Sequence, residues 1–376
     1  MIGIASRPPM SARVLVAAGG TGGHVFPALA VAQELRHRGW HAEWVGTDRG
    51  LEVRVIPTAG FGLHILKFSG LRGKGPMAWL SLPFRLLGAL AQSRAILARV
   101  RPDAVVAFGG YVTFPIGLMA RAMRIPLCVH EQNAVMGTAN RWLSRIAGAV
   151  LVSFPATRYA PSGAVVVGNP VRESICTLPD PAQRYAERIG PLRVLIVGGS
   201  LGAQALNQAL PEALTRLHRE GLALEIRHQT GAAARAEVQA AYTHGGQEAQ
   251  CSAFIDDMES AYEWADVMIC RAGASTVAEV AAAGVAAIFV PLPSAIDDHQ
   301  SANASVLANA EAAWSVPQGP QMAARIADIL RGSTRQSLMH CAQRARHLRM
   351  HDAARRAAAV VERMSSRSSM PPEAMA

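Results

Sequence analysis

Along most of the chain, short runs of β-branched and aliphatic residues alternate with longer stretches whose apolar positions recur every three or four residues. The first run, RVLVAA from Arg13, ends in the glycine turn GGTGGH and is followed by VFPALAVAQEL. The second half echoes it with RVLIV from Arg193, GGSLG, then AQALNQALPEAL. An unbroken apolar run predicts a strand buried on both faces, and a period near 3.6 predicts a helix with one apolar stripe. Their alternation predicts parallel strands joined by helical crossovers. After the first copy the strand signals are HAEWVGT, DAVVAFGG, PLCVHEQN and GAVLVSF; after the second they are ALEIRHQTG, CSAFIDDM, DVMICRAG and AAIFVPLP. Two doubly wound α/β domains in tandem are expected, residues 1–170 and 171–344, meeting near VVVGNPVRES. A last helix at about 345–364 is long enough to cross back onto the first domain, and the tail 365–376 is expected to be disordered.

Composition narrows the class. Half of the 376 residues are hydrophobic, enough for two ordinary cores. The five cysteines lie far apart with no CxxC pair, which disfavours a disulfide framework or a zinc site and suits a reducing compartment. MIGIASRPPMSAR lacks the apolar core of a signal peptide, and no stretch reaches the roughly 18 uncharged apolar residues of a membrane span. A cytoplasmic or peripheral protein is expected. The net charge of +10 is concentrated: from Val53 to Pro102 there is no Asp or Glu. That window mixes Lys67, Arg72, Lys74 and Arg85 with Trp79, Leu80 and Phe84. At helical spacing this is an apolar face bordered by cations, the pattern of a segment that meets an anionic lipid surface. Its cations are mixed mainly with Leu, Ile and Met, so no nucleic-acid partner is expected.

Glycine turns between a strand and a helix present free N–H groups at a positive dipole end, a seat for phosphate. Two such turns occur, and Gly109 and Gly110 form a third glycine pair ahead of Tyr111. Neither main turn fits GxGxxG: counted from Gly20 the third position is Val25, and counted from Gly199 the second is Leu201. There is also no GKS or GKT. Downstream, CRAGASTVAEVAAAG places Glu279 three residues after Thr276, the spacing of a capping box. By spacing alone Glu279 caps its own helix; the other reading is a carboxylate that binds a vicinal diol such as a ribose. Gln300 and Asn303 follow the next strand at the same sheet edge.

Taken together, GGTGGHVFPALAVA, GGYVTFP, HEQNAVMGTANRWL, VGNPVR, GGSLGAQALN, FIDDM, RAGASTVAE and DHQSANA resemble the MurG family in identity and order, from about Arg13 to Val361. These enzymes move N-acetylglucosamine from UDP-N-acetylglucosamine to lipid I, undecaprenyl-pyrophosphoryl-N-acetylmuramyl-pentapeptide. The resemblance implies a GT-B fold, two Rossmann-like domains with parallel sheets facing a central cleft, and an inverting transfer. It implies donor contacts from Thr21, Gly22, Gly23, Asn133, Arg172, Ser200, the backbone of Ile255, the segment Ala274, Ser275, Thr276, Val277, Ala278 and Glu279, and Gln300. Gly109, Gly110 and Tyr111 are the candidate acceptor residues. Ala272 stands where relatives often carry Ser, one hydroxyl fewer near the pyrophosphate. Implied partners are UDP-N-acetylglucosamine, lipid I, the anionic inner face of the bacterial inner membrane, and other cell-wall and division proteins. Another GT-B transferase with a different lipid or small-molecule acceptor is the alternative. An inverting transfer needs a base, and His24 is the best placed; the rival account is that its ring only shapes the loop. His130 and Glu131 are further candidates. No DxD motif occurs, so no protein-bound metal is expected, with Mg2+ able to assist through the phosphates.

Overall fold

The computed structural model describes residues 12–68, 81–186, 188–199 and 202–369. The chain divides into two compact units. The first comprises the residues up to 132, 136–170 and those from 352 onward; the second comprises 133–135 and 171–351.

The first unit carries β1 (Arg13–Ala18), β2 (His41–Gly46), β3 (Gly62–Ile65), β4 (Ala104–Gly109), β5 (Leu127–Glu131), β6 (Ala149–Val152) and β7 (Val165–Val166). They form one parallel sheet in the order β3-β2-β1-β4-β5-β6-β7. The helices α1 (Gly22–His37), α2 (Glu52–Thr58), α3 (Leu82–Val100), α4 (Thr113–Ala122) and α5 (Thr138–Ser144) cover it. Both faces of β1 and β4 are buried, which is why RVLVAA and AVVAFG read as unbroken apolar runs. From β1 the chain first builds toward β3 and then returns to lay β4 on the other side of β1. The turns after β1 and β4 therefore diverge and leave a crevice at the carboxyl edge.

The second unit repeats the plan with β8 (Leu192–Val197), β9 (Leu224–Gln229), β10 (Ala249–Ser252), β11 (Val267–Cys270), β12 (Ala286–Phe289) and β13 (Trp314–Ser315), in the order β10-β9-β8-β11-β12-β13. Its helices are α6 (Glu173–Cys176), α7 (Pro181–Ala186), α8 (Gln204–Arg219), α9 (Arg235–Gly245), α10 (Met258–Trp264), α11 (Ala274–Ala283), α12 (His299–Ala308), α13 (Met322–Arg331) and α14 (Arg335–His347). The matching crevice opens between β8 and β11.

The C-terminal region departs from expectation. Instead of one helix at 345–364 there are two, α14 and α15 (Ala353–Ser369), broken over Leu348–Asp352. The break follows from packing. Leu338, Cys341 and Ala342 of α14 belong to the second unit's core, whereas Ala357, Ala358 and Val361 of α15 pack with Val14, Val25 and Leu35 of the first. An Arg38–Glu362 ion pair at 2.7 Å ties α15 to α1. Helix also runs through residues 365–369, which the composition marked as disordered. CSAFIDDM is another correction: the strand lies at Ala249–Ser252, and FIDD is loop. Among the described residues no helix is long and apolar enough to cross a membrane.

Candidate active site

The first crevice is built around the turn after β1. Thr21 sits at the N-cap of α1 in extended backbone and gives no side-chain cap, so nothing from Thr21 covers the N–H groups of Gly22 and Gly23. Glu52 of α2 holds the turn from beneath. It is fully buried, and its carboxylate accepts from the Gly20 N–H (3.0 Å), the Thr47 N–H (2.8 Å) and the Thr47 hydroxyl (2.7 Å). His24 lies in the first turn of α1, half-buried, with Nδ1 2.8 Å from Gln132 Oε1. The glycine pair after β4 makes room for it. A Cβ on Gly109 would stand 2.8 Å from the imidazole Cε1, and one on Gly110 would stand 2.5 Å from the Gly19 carbonyl oxygen. Both have positive φ, +110° and +89°, so only glycine fits without strain. Tyr111 follows, half exposed. The ring of His24 is thus held by the side chain of Gln132, just past the end of β5.

The other first-unit candidates separate. His130 is fully buried, its ring stacked 4.9 Å from Phe108, and burial lowers its pKa to about 4. Glu131 is buried as well. Its Oε2 accepts from the Gly137 N–H (3.0 Å) and Asn140 Nδ2 (2.8 Å), which ties down the segment after β5.

The second crevice has the chemistry to receive an anion. α11 begins at Ala274 behind an N-cap, Gly273, that has no side chain to cap it. Val277 turns into the core and its N–H bonds to the Gly273 carbonyl, leaving the earlier N–H groups at the helix's positive end. The Ser275 hydroxyl is buried with no hydrogen-bond partner among the described residues. A cavity of about 660 Å³ opens here, lined by Gly198, Gly199, Arg271, Thr276, Gln300 and Gln318 among others. Arg271 is fixed by donating to Gln318 Oε1 (2.8 Å) and to the carbonyls of Val290 (3.1 Å) and Pro291 (3.4 Å). Burial lowers its pKa, yet a guanidinium remains charged at neutral pH. Gln300 accepts from the Leu292 N–H at 3.0 Å.

Glu279 is not a cap. The helix starts five residues before it, so Thr276 is already inside α11 and the capping-box spacing is coincidental. Its carboxylate instead accepts from the Tyr262 hydroxyl (3.0 Å) and Arg172 Nη2 (3.4 Å). Burial raises its pKa, opposed by those two donors. Arg172, half exposed, retains freedom to meet a ligand. Asn303 is fully buried and hooks Asn133 into this unit. It accepts from the Ala134 N–H (2.7 Å) and donates to Asn133 Oδ1 (3.2 Å) and the Ala272 carbonyl (3.1 Å). Ile255 lies in the loop between β10 and α10, and Ala278 on the first turns of α11. Ala272 is fully buried.

Ser200, Arg72, Lys74, Trp79 and Leu80 lie outside the described residues. Lys67 is exposed, as is Phe84 at 77 %, while Arg85 is half-buried. The residue patterns passed over Gln132, Glu52, Arg271 and Gln318. Only Arg271, set between an apolar strand and a glycine turn, carried a local signal.

Two tandem Rossmann-like units, one holding a histidine against a glycine turn and the other an uncapped helix start beside an arginine, define a glycosyltransferase of the GT-B fold. Residues 14–152 match the glycosyltransferase family 28 N-terminal domain and residues 193–356 the family 28 C-terminal domain, and the chain belongs to this family. It is 52% identical over 356 residues to the UDP-N-acetylglucosamine--N-acetylmuramyl-(pentapeptide) pyrophosphoryl-undecaprenol N-acetylglucosamine transferase of Bordetella petrii, covering 95% of this chain and 99% of that protein. The protein of the same name from Nitrosospira multiformis is 49% identical over 346 residues, 92% of this chain and 97% of the relative. Among solved structures, Acinetobacter baumannii MurG superposes with a TM-score of 0.81 at 40% identity, over 94% of this chain and 99% of that one.

Proposed function

We propose that this chain transfers N-acetylglucosamine from UDP-N-acetylglucosamine to the 4-hydroxyl of the muramyl sugar of lipid I, with inversion, to form lipid II for peptidoglycan. The observation that carries this reading is the 52% identity to a transferase of that name along 95% of the chain. Most donor contacts belong to the second unit, with Thr21, Gly22 and Gly23 of the first unit's turn as the others. The donor's diphosphate meets the open N-terminus of α11, Arg271 and Arg172, which stabilise the charge that builds on departing UDP. Glu279 takes the ribose hydroxyls, the Ile255 backbone reads the uracil, and Asn133 and Gln300 hold the sugar. In the first unit His24 removes the proton of the attacking hydroxyl, and Gly109, Gly110 and Tyr111 receive the acceptor. No metal is needed on the protein in this scheme, because cationic and backbone donors carry the phosphate charge. A chelator added to a metal-free assay leaves turnover intact; complete, metal-reversible loss contradicts it.

The acceptor's lipid places the reaction at the inner face of the bacterial inner membrane, and α3 is the segment suited to reach it. Phe84 and Leu87 are 77% and 64% exposed at its start, and Arg94 is exposed farther along. Phe84→Ser with Leu87→Ser reduces co-sedimentation with anionic vesicles; equal binding by the double variant counts against this surface. The function itself is tested with radiolabelled donor. Label passes to a lipid I analogue and not to acceptors lacking the muramyl pyrophosphate. Equal labelling of an unrelated lipid or small-molecule acceptor favours the broader GT-B reading.

A further inference from the structure

In the first unit three side chains form a run whose hydrogen positions can be worked out from one end. His130 Nε2 lies 3.2 Å from the Gly168 carbonyl oxygen. A carbonyl only accepts, so Nε2 carries the hydrogen. Full burial keeps this ring neutral near pH 7, which leaves Nδ1 a bare acceptor. Gln132 Nε2 stands 2.9 Å from that Nδ1 and 3.0 Å from the His130 carbonyl oxygen. Two acceptors match the two hydrogens of one amide nitrogen. The flipped amide would set its oxygen against both acceptors and lose both bonds in a buried site. Gln132 therefore turns Oε1 toward His24, 2.8 Å from Nδ1. An amide oxygen only accepts, so His24 Nδ1 carries a hydrogen, and the neutral ring keeps its lone pair on Nε2.

We infer that Gln132 and His130 are positioning residues that lock His24 in the Nδ1–H tautomer and so present Nε2 as the proton acceptor. This rests on the reading of His24 as the base. The attacking hydroxyl gives its proton to Nε2 as its oxygen bonds to the donor's anomeric carbon. The bond from that carbon to the diphosphate oxygen breaks, and its electron pair leaves with UDP. The imidazolium that results keeps Nδ1–H on Gln132 Oε1. A carboxylate does this work in serine-protease triads; here a neutral amide does it, and a buried neutral histidine fixes the amide. The Gly109 backbone supports the arrangement, because any side chain there would displace the ring. Glu52 and Glu131, the nearby carboxylates on α2 and β5, are bonded to Gly20 and Thr47 and to Gly137 and Asn140, respectively.

The test is long-range nitrogen–proton NMR on protein with labelled histidine, the His24 signal identified by its loss in His24→Ala. Wild type shows the Nδ1–H ring. Gln132→Leu, which removes both the acceptor and the donor, shows the Nε2–H ring, and kcat falls roughly tenfold or more while the UDP-N-acetylglucosamine KM stays within twofold. Should Gln132→Leu fold poorly, Gln132→Glu serves. It keeps an oxygen facing His24 and shares a proton with His130 Nδ1, so it retains the Nδ1–H ring and more of the activity. An Nε2–H ring in folded wild type overturns the lock, as does an unchanged tautomer in Gln132→Leu. An Nδ1–H ring in wild type together with normal turnover by His24→Ala overturns the base reading instead, and leaves the hydrogen-bond assignment standing.

Discussion

The crevice between β1 and β4 and the crevice between β8 and β11 occupy the same place in the same strand order, yet their linings are chemically opposed. In the first, the turn's Gly20 N–H is already taken by an internal anion, the buried Glu52 carboxylate, and the polar groups beside it are the imidazole and amide of His24, Gln132 and His130. In the second, no such carboxylate fills the glycine turn among its described residues. Arg271, an uncapped helix N-terminus and a cavity of about 660 Å³ face the same edge. Topology supplies a crevice twice, and the residues just past each strand give each its own chemistry. Both helices begin uncapped, at Gly22 and at Ala274, so what separates the two turns is the internal carboxylate on Gly20 in one and the arginine beside the other.

The contrast can be broken at several points. The largest effect is expected for His24→Ala, which lowers kcat by about 10²–10⁴-fold through loss of general base catalysis. Steady-state kinetics at saturating donor show it, and a loss below about threefold means that the first crevice does not handle the proton. Next is Glu52→Gln. It sets an amide nitrogen against the Gly20 N–H, or against both Thr47 donors if the amide flips, in a buried site and should cost about 3 kcal/mol of stability in denaturant unfolding. A cost under about 1 kcal/mol would show that the turn is held by other means.

The third prediction is acid sensitivity from His130. Its pKa is about 4 folded and 6.5 in the ordinary state, so between those values the unfolded chain binds more protons. Its contribution is complete above pH 6.5 and is lost as pH falls toward 4. Between pH 7 and pH 5 this amounts to about 2 kcal/mol. His130→Leu removes that share of the slope, measured by unfolding at both pH values. An unchanged slope means that His130 is not held neutral. His228, lowered to about 4 by burial in the second unit, adds a slope of the same sign that the variant leaves in place.

Much of this is legible in the amino-acid sequence, for physical reasons. Strands such as β1, β4, β8 and β11 are buried on both faces and write themselves as apolar runs. β3 is only half-buried, and β7 and β13 are two residues long, so none left a pattern. His24 was visible because it interrupts a glycine turn. Gln132 was not, because its role depends on a hydrogen-bond partner 108 residues away and on a buried histidine's lost proton affinity. Glu52 reads as an ordinary acid in the first turn of a helix; only the fold shows that it faces Gly20 and Thr47. Glu279 was misread by spacing, since a Thr followed three residues later by Glu mimics a cap wherever it falls.

The division of labour between the crevices is tested most directly by calorimetric titration of UDP-N-acetylglucosamine into wild type, His24→Ala and Arg271→Ala. A donor Kd within twofold of wild type is expected for His24→Ala. For Arg271→Ala a Kd raised about tenfold or more is expected, the equivalent of one charge-assisted contact worth about 1.4 kcal/mol. A His24→Ala variant that weakens the donor as much as Arg271→Ala does, or an Arg271→Ala variant that binds as wild type, would contradict that division.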